Sequence, residues 1–151
     1  MDIRAERAVI AGIIGTALMT AVGVWIGPLM NMPRMNPAEM LAGAMGGNLL
    51  LGWIAHFMIG TMLALTYAWA APLLPGPSLA RGALFGLAPF LVAQILVMPL
   101  MGLPVFSGSV IMALGSLVGH LIYGAGVTAV YGPVPAGGAA GIAQRHSSAV
   151  A

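Results

Sequence analysis

An all-α membrane protein of four transmembrane helices, built as a tandem repeat of two two-helix units, is the fold class that three observations predict. The chain is 60% hydrophobic and only 5% charged, whereas a soluble domain carries roughly 25% charged residues. Four long apolar stretches take up most of its 151 residues. The first half of the chain also reads like the second. A water-facing surface cannot be made from so few charges, and four spans of ~20 residues leave no room for a separate soluble domain.

The apolar stretches run over 8–30, 47–71, 82–101 and 108–131, each near the length a helix needs to cross ~30 Å of hydrocarbon. Asn31, Pro33, Asn36 and Pro37 end the first, and Pro72, Pro75, Gly76 and Pro77 separate the second from the third. Gly102 and Pro104 turn the third into the fourth. Proline and glycine punctuate in this way because one lacks a backbone N–H and the other lacks a side chain. Between the first two spans, Asn36, Pro37 and Glu39 make an N-cap, a first-turn proline and a capping glutamate, which predicts a short helix on the outer surface. Residues 133–151 turn to Gly, Ala, Pro and Ser, too polar and too small to bury a core, and are expected to form a disordered cytoplasmic tail.

Arg4, Arg7, Arg81 and Arg145 fall on one side of the spans and Arg34 on the other. The positive-inside rule therefore places both termini in the cytoplasm. Arg4 and Arg7 before an apolar run also resemble the start of a signal peptide, but the first span has a counterpart later in the chain, which a removed leader would lack. Five arginines are too sparse for a nucleic-acid surface. The absence of cysteine rules out disulfides, thiol redox chemistry and thiolate metal sites.

The repeat is carried by several matches. RAVIAG at Arg7–Gly12 answers RGALFG at Arg81–Gly86, and PLMNMP at Pro28–Pro33 answers PLMGLP at Pro99–Pro104. In the second helices His56 and His120 each have glycine four residues on, at Gly60 and Gly124, and tyrosine eleven on, at Tyr67 and Tyr131. The units are thus 7–71 and 81–131 within one transmembrane domain over 1–132. Two spans per unit give both copies one orientation, which implies a pseudo-twofold axis along the membrane normal. His56 then lies about 14 Å into the bilayer, near its midplane.

An ionisable group at that depth is a functional candidate by default. His56 and His120 stand among small residues spaced by four: Gly52, Gly60 and Ala64 in one unit, Ser116, Gly124 and Thr128 in the other. Such faces meet another helix closely. One reading has the imidazoles converge on a b-type haem or a metal ion, for which neutral imidazole is suited. The other has each imidazole bonded to a backbone carbonyl or to a hydroxyl such as Thr16, Thr20 or Tyr123, as interhelical packing. Asp2, Glu6 and Glu39 are the only acids, which disfavours closed zinc coordination.

Twelve methionines form the second unusual feature, with Met30, Met32, Met35, Met40 and Met45 in or beside the outer loop and Met98 and Met101 at the same end. Thioethers select Cu(I), but they also fill irregular gaps between helices. Gln94 aligns with Thr20 when the arginines are superposed, suggesting one hydrogen-bonded layer. Trp25, Trp53, Trp69, Tyr67 and Tyr131 fall toward span ends, where aromatic rings anchor helices at the interface. No nucleophile with a base and an orienting acid is visible.

The arginine-led first span, the PLM-x-x-P end, GWIAHFMIG, the paired prolines and the closing GHLIYGAGVTAVYG together resemble small uncharacterised bacterial inner-membrane proteins of the YagU-like kind, over roughly residues 7–132. The resemblance implies a bacterial inner-membrane location and carries no site. The functional expectation is a non-enzymatic accessory or scaffold component without cofactor, its partners the lipid bilayer and a second copy or another membrane protein. The alternatives are a haem electron carrier using His56 and His120, and a small transporter or Cu(I)-handling protein.

Overall fold

A computed structural model describes residues 4–134. Four helices in it are long and apolar enough to cross a membrane: α1 (Ala5–Leu29), α3 (Leu49–Leu73), α4 (Ser78–Leu100) and α5 (Val110–Tyr131). A short helix, α2 (Pro37–Ala44), lies between α1 and α3. No strand occurs among the described residues. The expected tail lies outside them, apart from its first two residues.

Local chemistry sets the ends of these helices. Asn36 caps α2 by accepting from the N–H groups of Ala38 and Glu39 at 3.0 and 3.4 Å, and Pro37 occupies the first turn, where no N–H is needed. Glu39 does not close a capping box; it forms a two-point ion pair with Arg34 at 2.9 and 2.8 Å. Gly46 and Gly47, at φ +68° and +81°, end α2 in the left-handed region that glycine tolerates. Asn48 and Ser109 cap α3 and α5 in turn.

Two of the long helices share a defect. α1 widens to a π-helical turn over Val22–Ile26, and α4 does so over Ala93–Val97. Each turn precedes a proline, Pro28 or Pro99. A proline ring collides with the carbonyl four residues back and offers no N–H, and that carbonyl belongs to Val24 or Ile95, inside the widened turn. Pro89, by contrast, lies within α4 without interrupting it.

The long helices pack in the order α3, α1, α5, α4. α2 lies on α3, where Gly52 faces the Ala38 carbonyl and Ala42. Close backbone approach makes the main contacts. A methyl group on Gly12 would lie 2.7 Å from the Thr61 Cα, one on Gly60 would overlap the Thr16 hydroxyl, and Gly82 and Gly124 face each other's carbonyls. Between α1 and α5, Gly15 meets Tyr123 and Val127, and Gly126 meets Leu18.

Contacts between the first helix pair, α1 and α3, and the second, α4 and α5, are unequal. α1 packs along α5, whereas α3 and α4 have far less in common and meet through the Tyr67 and Phe85 rings, 5.3 Å apart edge to face. Superposing the histidines sets Met62 against Gly126, and superposing the arginines sets Pro89 against Gly15. Bulk on α3 and α4 thus replaces the glycines that let α1 and α5 close, and Met62 is 60% exposed.

The arginine end is closed by a cluster that includes Ala8, Ala64, Tyr67, Phe85, Tyr123 and Tyr131. Tyr67 and Tyr131, expected as interfacial anchors, are 1% and 3% exposed and pack edge to face at 6.1 Å. Their rings fill the space between helices there, while Trp25 and Trp69 remain exposed. Arg4 lies 4.9 Å over the Tyr131 ring and donates to the Pro133 carbonyl. Buried Arg81 donates to the carbonyls of Gly76 and Val134 at 2.7 and 2.8 Å. The start of α1, the start of α4 and the end of α5 therefore share one end of the bundle, and the Arg34–Glu39 pair belongs to the loop and short helix that link the far end of α1 to α3.

Gly60→Leu is expected to destabilise the bundle by about 1–3 kcal/mol through overpacking against Thr16, read as a lower midpoint of thermal unfolding in detergent, with Gly43→Leu, where open space surrounds the glycine, as the neutral control. Arg34 holds the Glu39 carboxyl below its ordinary range. The pair therefore supports α2 fully above the usual carboxylate range and loses that support as pH falls through the lowered value. Hydrogen exchange of the α2 amides should accelerate at acid pH in the parent and show no such step in Glu39→Gln.

Candidate functional site

His56 and His120 sit in unlike surroundings. His56, 7% exposed on α3, has its Nε2 2.9 Å from the Thr20 hydroxyl of α1. Thr20 donates its one proton to the Thr16 carbonyl at 2.8 Å, so it accepts from His56. The ring then carries its proton on Nε2 and its lone pair on Nδ1. Thr16 donates in turn to the Gly12 carbonyl at 2.7 Å, so each hydroxyl is satisfied along α1, as a polar group inside hydrocarbon requires.

His120 on α5 has the opposite tautomer. Its Nδ1 lies 2.7 Å from the Ser116 carbonyl, one turn back on its own helix. A carbonyl only accepts, so Nδ1 carries the proton and Nε2 the lone pair. The Phe90 ring of α4 packs edge to face at 5.9 Å. Gly86 of α4 lies against the His120 carbonyl, where any side chain would collide with it.

Around His120 runs a line of polar groups that sequence reasoning only partly resolved. Ser107, in the turn before α5, donates to Gln94 Oε1 at 3.0 Å, and Gln94 Nε2 donates to Ser116 Oγ at 3.0 Å. Gln94 is 1% exposed. Thr20 meets a histidine directly, but Gln94 meets Ser116, one turn before His120 in sequence. The π turns explain the offset. Gln94 lies inside the widened turn of α4, whereas Thr20 precedes the one in α1.

Phe106 and Ser107 adopt left-handed backbone, φ +53° and +59°, a conformation that costs a non-glycine residue roughly 1 kcal/mol. The Ser107 bond to Gln94 offsets part of that cost. No sequence signal marked Phe106; the Ser-Gly-Ser run after it was the nearest hint. Tyr123 bonds neither histidine. Its hydroxyl reaches across to α3 and donates to the Gly60 carbonyl at 2.5 Å.

The proposed packing residues Gly52, Gly60, Ser116 and Gly124 are all buried. Gly52 faces α2, Gly60 faces α1, Ser116 bonds Gln94 and Gly124 faces Gly82. Thr128 Oγ1 is buried with no hydrogen-bond partner among the described residues and lies against Gly82. Among these residues no group of three His, Asp or Glu side chains could hold a metal ion.

The family of unknown function DUF6789 matches residues 4–138. The chain belongs to that family. No curated protein and no solved structure matches it. The DUF6789 match spans all four long helices with His56 and His120, and it lends no support to the YagU-like name in particular. Because the DUF6789 description assigns no activity, the chemistry rests on the geometry above.

Thr20→Val removes the acceptor for His56 and should cost roughly 0.6 kcal/mol, at most about 1.7. Nitrogen NMR of the two rings is the sharper check. It should show Nε2–H at His56 and Nδ1–H at His120, with Thr20→Val altering the first signal and leaving the second, and Thr20→Ser restoring it.

Proposed function

We propose that this chain is a multi-pass protein of the bacterial inner membrane with both termini in the cytoplasm, acting as a non-enzymatic accessory or scaffold component in which His56 and His120 serve helix packing. The observation that carries the reading is that each imidazole has a ring nitrogen within hydrogen-bond distance of the surrounding fold, His56 Nε2 2.9 Å from the Thr20 hydroxyl and His120 Nδ1 2.7 Å from the Ser116 carbonyl. A haem held between two histidines requires both rings to turn a lone pair toward a common, wide gap. His56 directs its Nε2 proton at Thr20, and the helix faces beside both rings approach at glycine distance.

Orientation follows from charge. Arg4, Arg7 and Arg81 belong to the end where α1 and α4 begin, and Arg34 beyond the far end of α1 is neutralised by Glu39. The positive-inside rule puts the arginine-rich end in the cytoplasm. An origin by duplication is supported by the paired sequence motifs and by the π turn before a proline in both α1 and α4. The units have since diverged, so their contacts across a pseudo-twofold axis are no longer equal.

The test is an absorption spectrum, oxidised and dithionite-reduced, of protein purified in detergent from haem-supplied cells, alongside His56→Gln and His120→Gln. The expected result is no Soret band, with both variants folded and each less stable by roughly 0.6 kcal/mol. A stoichiometric b-type spectrum lost in either variant would overturn the packing reading.

A further inference from the structure

At the end of the bundle where α1 and α4 begin, three arginines gather on the residues that close and follow α5. Arg4 lies 4.9 Å over the Tyr131 ring and donates to the Pro133 carbonyl at 3.3 Å. Arg81 donates to the carbonyls of Gly76 and Val134. Arg7 joins them from α1. A methyl group placed on Gly132 would lie 3.8 Å from Arg7 Nη1 and 4.0 Å from Arg4 Nη2, so the two guanidinium groups flank one point. The partners of Arg4 and Arg81 are all neutral. Among the described residues the one ion pair, Arg34 with Glu39, belongs to the opposite end. Arg4 and Arg7 thus hold like charges near each other, and no described carboxylate is in ion-pair contact with either.

We propose that Arg4 and Arg7 bind the phosphate of an anionic phospholipid headgroup. Guanidinium presents its N–H groups in a planar fork that matches phosphate oxygens. Tyr131 and Pro133 hold Arg4 in place, whereas Arg7 is exposed and has no hydrogen-bond partner among the described residues, so its donors are left for a ligand. Depth selects a lipid as the source of the phosphate. Val9 and Ile10 follow Arg7 directly and are exposed, as is Trp69 near the end of α3, so the guanidinium groups stand where hydrocarbon gives way to headgroups. A headgroup with net negative charge offsets two like charges better than a zwitterionic one, whose own ammonium opposes them. Buried Arg81, its donors committed to carbonyls, adds to the positive potential of this end. The site depends neither on the role of His56 and His120 nor on which leaflet this end faces.

The experiment is native mass spectrometry of the full chain, equilibrated in detergent with equimolar phosphatidylglycerol and phosphatidylcholine of matched acyl chains. Bound phosphatidylglycerol should exceed phosphatidylcholine by about tenfold or more, and the excess should shrink as salt is raised. Arg7→Gln should reduce that preference about fivefold, with an unchanged melting temperature in the absence of lipid. Arg4→Gln/Arg7→Gln should abolish it, while Arg34→Gln, which removes one positive charge at the other end, leaves it intact. If the double variant fails to fold, Arg7→Gln alone must show the reduction. Equal retention of the two lipids, an undiminished preference in Arg7→Gln, or an equal loss in Arg34→Gln would overturn the site. Displacement of the bound lipid by an equal concentration of inorganic phosphate would overturn the lipid as its ligand.

Discussion

In a bilayer the lipid tails are as apolar as the helix surfaces, so burial against a neighbour gains little from the hydrophobic effect. Close van der Waals contact and internal hydrogen bonds must hold the helices together. Gly60 is where this bundle meets that demand. Its missing side chain admits Thr16 of α1, and its carbonyl accepts the Tyr123 hydroxyl of α5. One residue of α3 thereby fixes the spacing to α1 and the reach across to α5. The Gly82–Gly124 contact does the first of these for α4 and α5.

The different fates of the histidines follow from that packing. Each stands four residues before the glycine at its own helix crossing, so each is carried into the interior whatever it binds. Thr20 on α1 is then within reach of His56. In the second unit Gln94 meets the Ser116 hydroxyl instead, and His120 turns to the carbonyl of its own helix. Similar positions in the two helix pairs carry unequal chemistry: Thr20 precedes the π turn of α1 and reaches His56, whereas Gln94 lies inside the π turn of α4 and reaches Ser116.

Polar and charged groups are divided between the two ends with little in common. At one end Arg4 and Arg81 tie the chain after α5 to the helix starts. At the other a neutral ion pair, a capped short helix and a folded-back methionine loop cover the bundle. The arginines thus gather at one end of the bundle and the methionine loop at the other.

Hydropathy and punctuation alone determined the four spans to within a few residues and the short helix begun by Asn36 and Pro37. These depend on local chemistry: transfer of side chains into hydrocarbon, missing N–H groups and caps. Which helix lies beside which was settled only in three dimensions. A span facing lipid is apolar all round, so its pattern does not distinguish the face that meets a helix from the face that meets tails. Hence Tyr67 and Tyr131 read as interfacial anchors yet fill the core, and Gln94 read as the counterpart of Thr20 yet bonds Ser116 where Thr20 meets His56. The contact of His56 with Thr20, the Tyr123 bond to Gly60, and the packing of Met32 and Met35 on Gly115 depend on atoms from segments far apart in the chain, and only the packed bundle brings those atoms together.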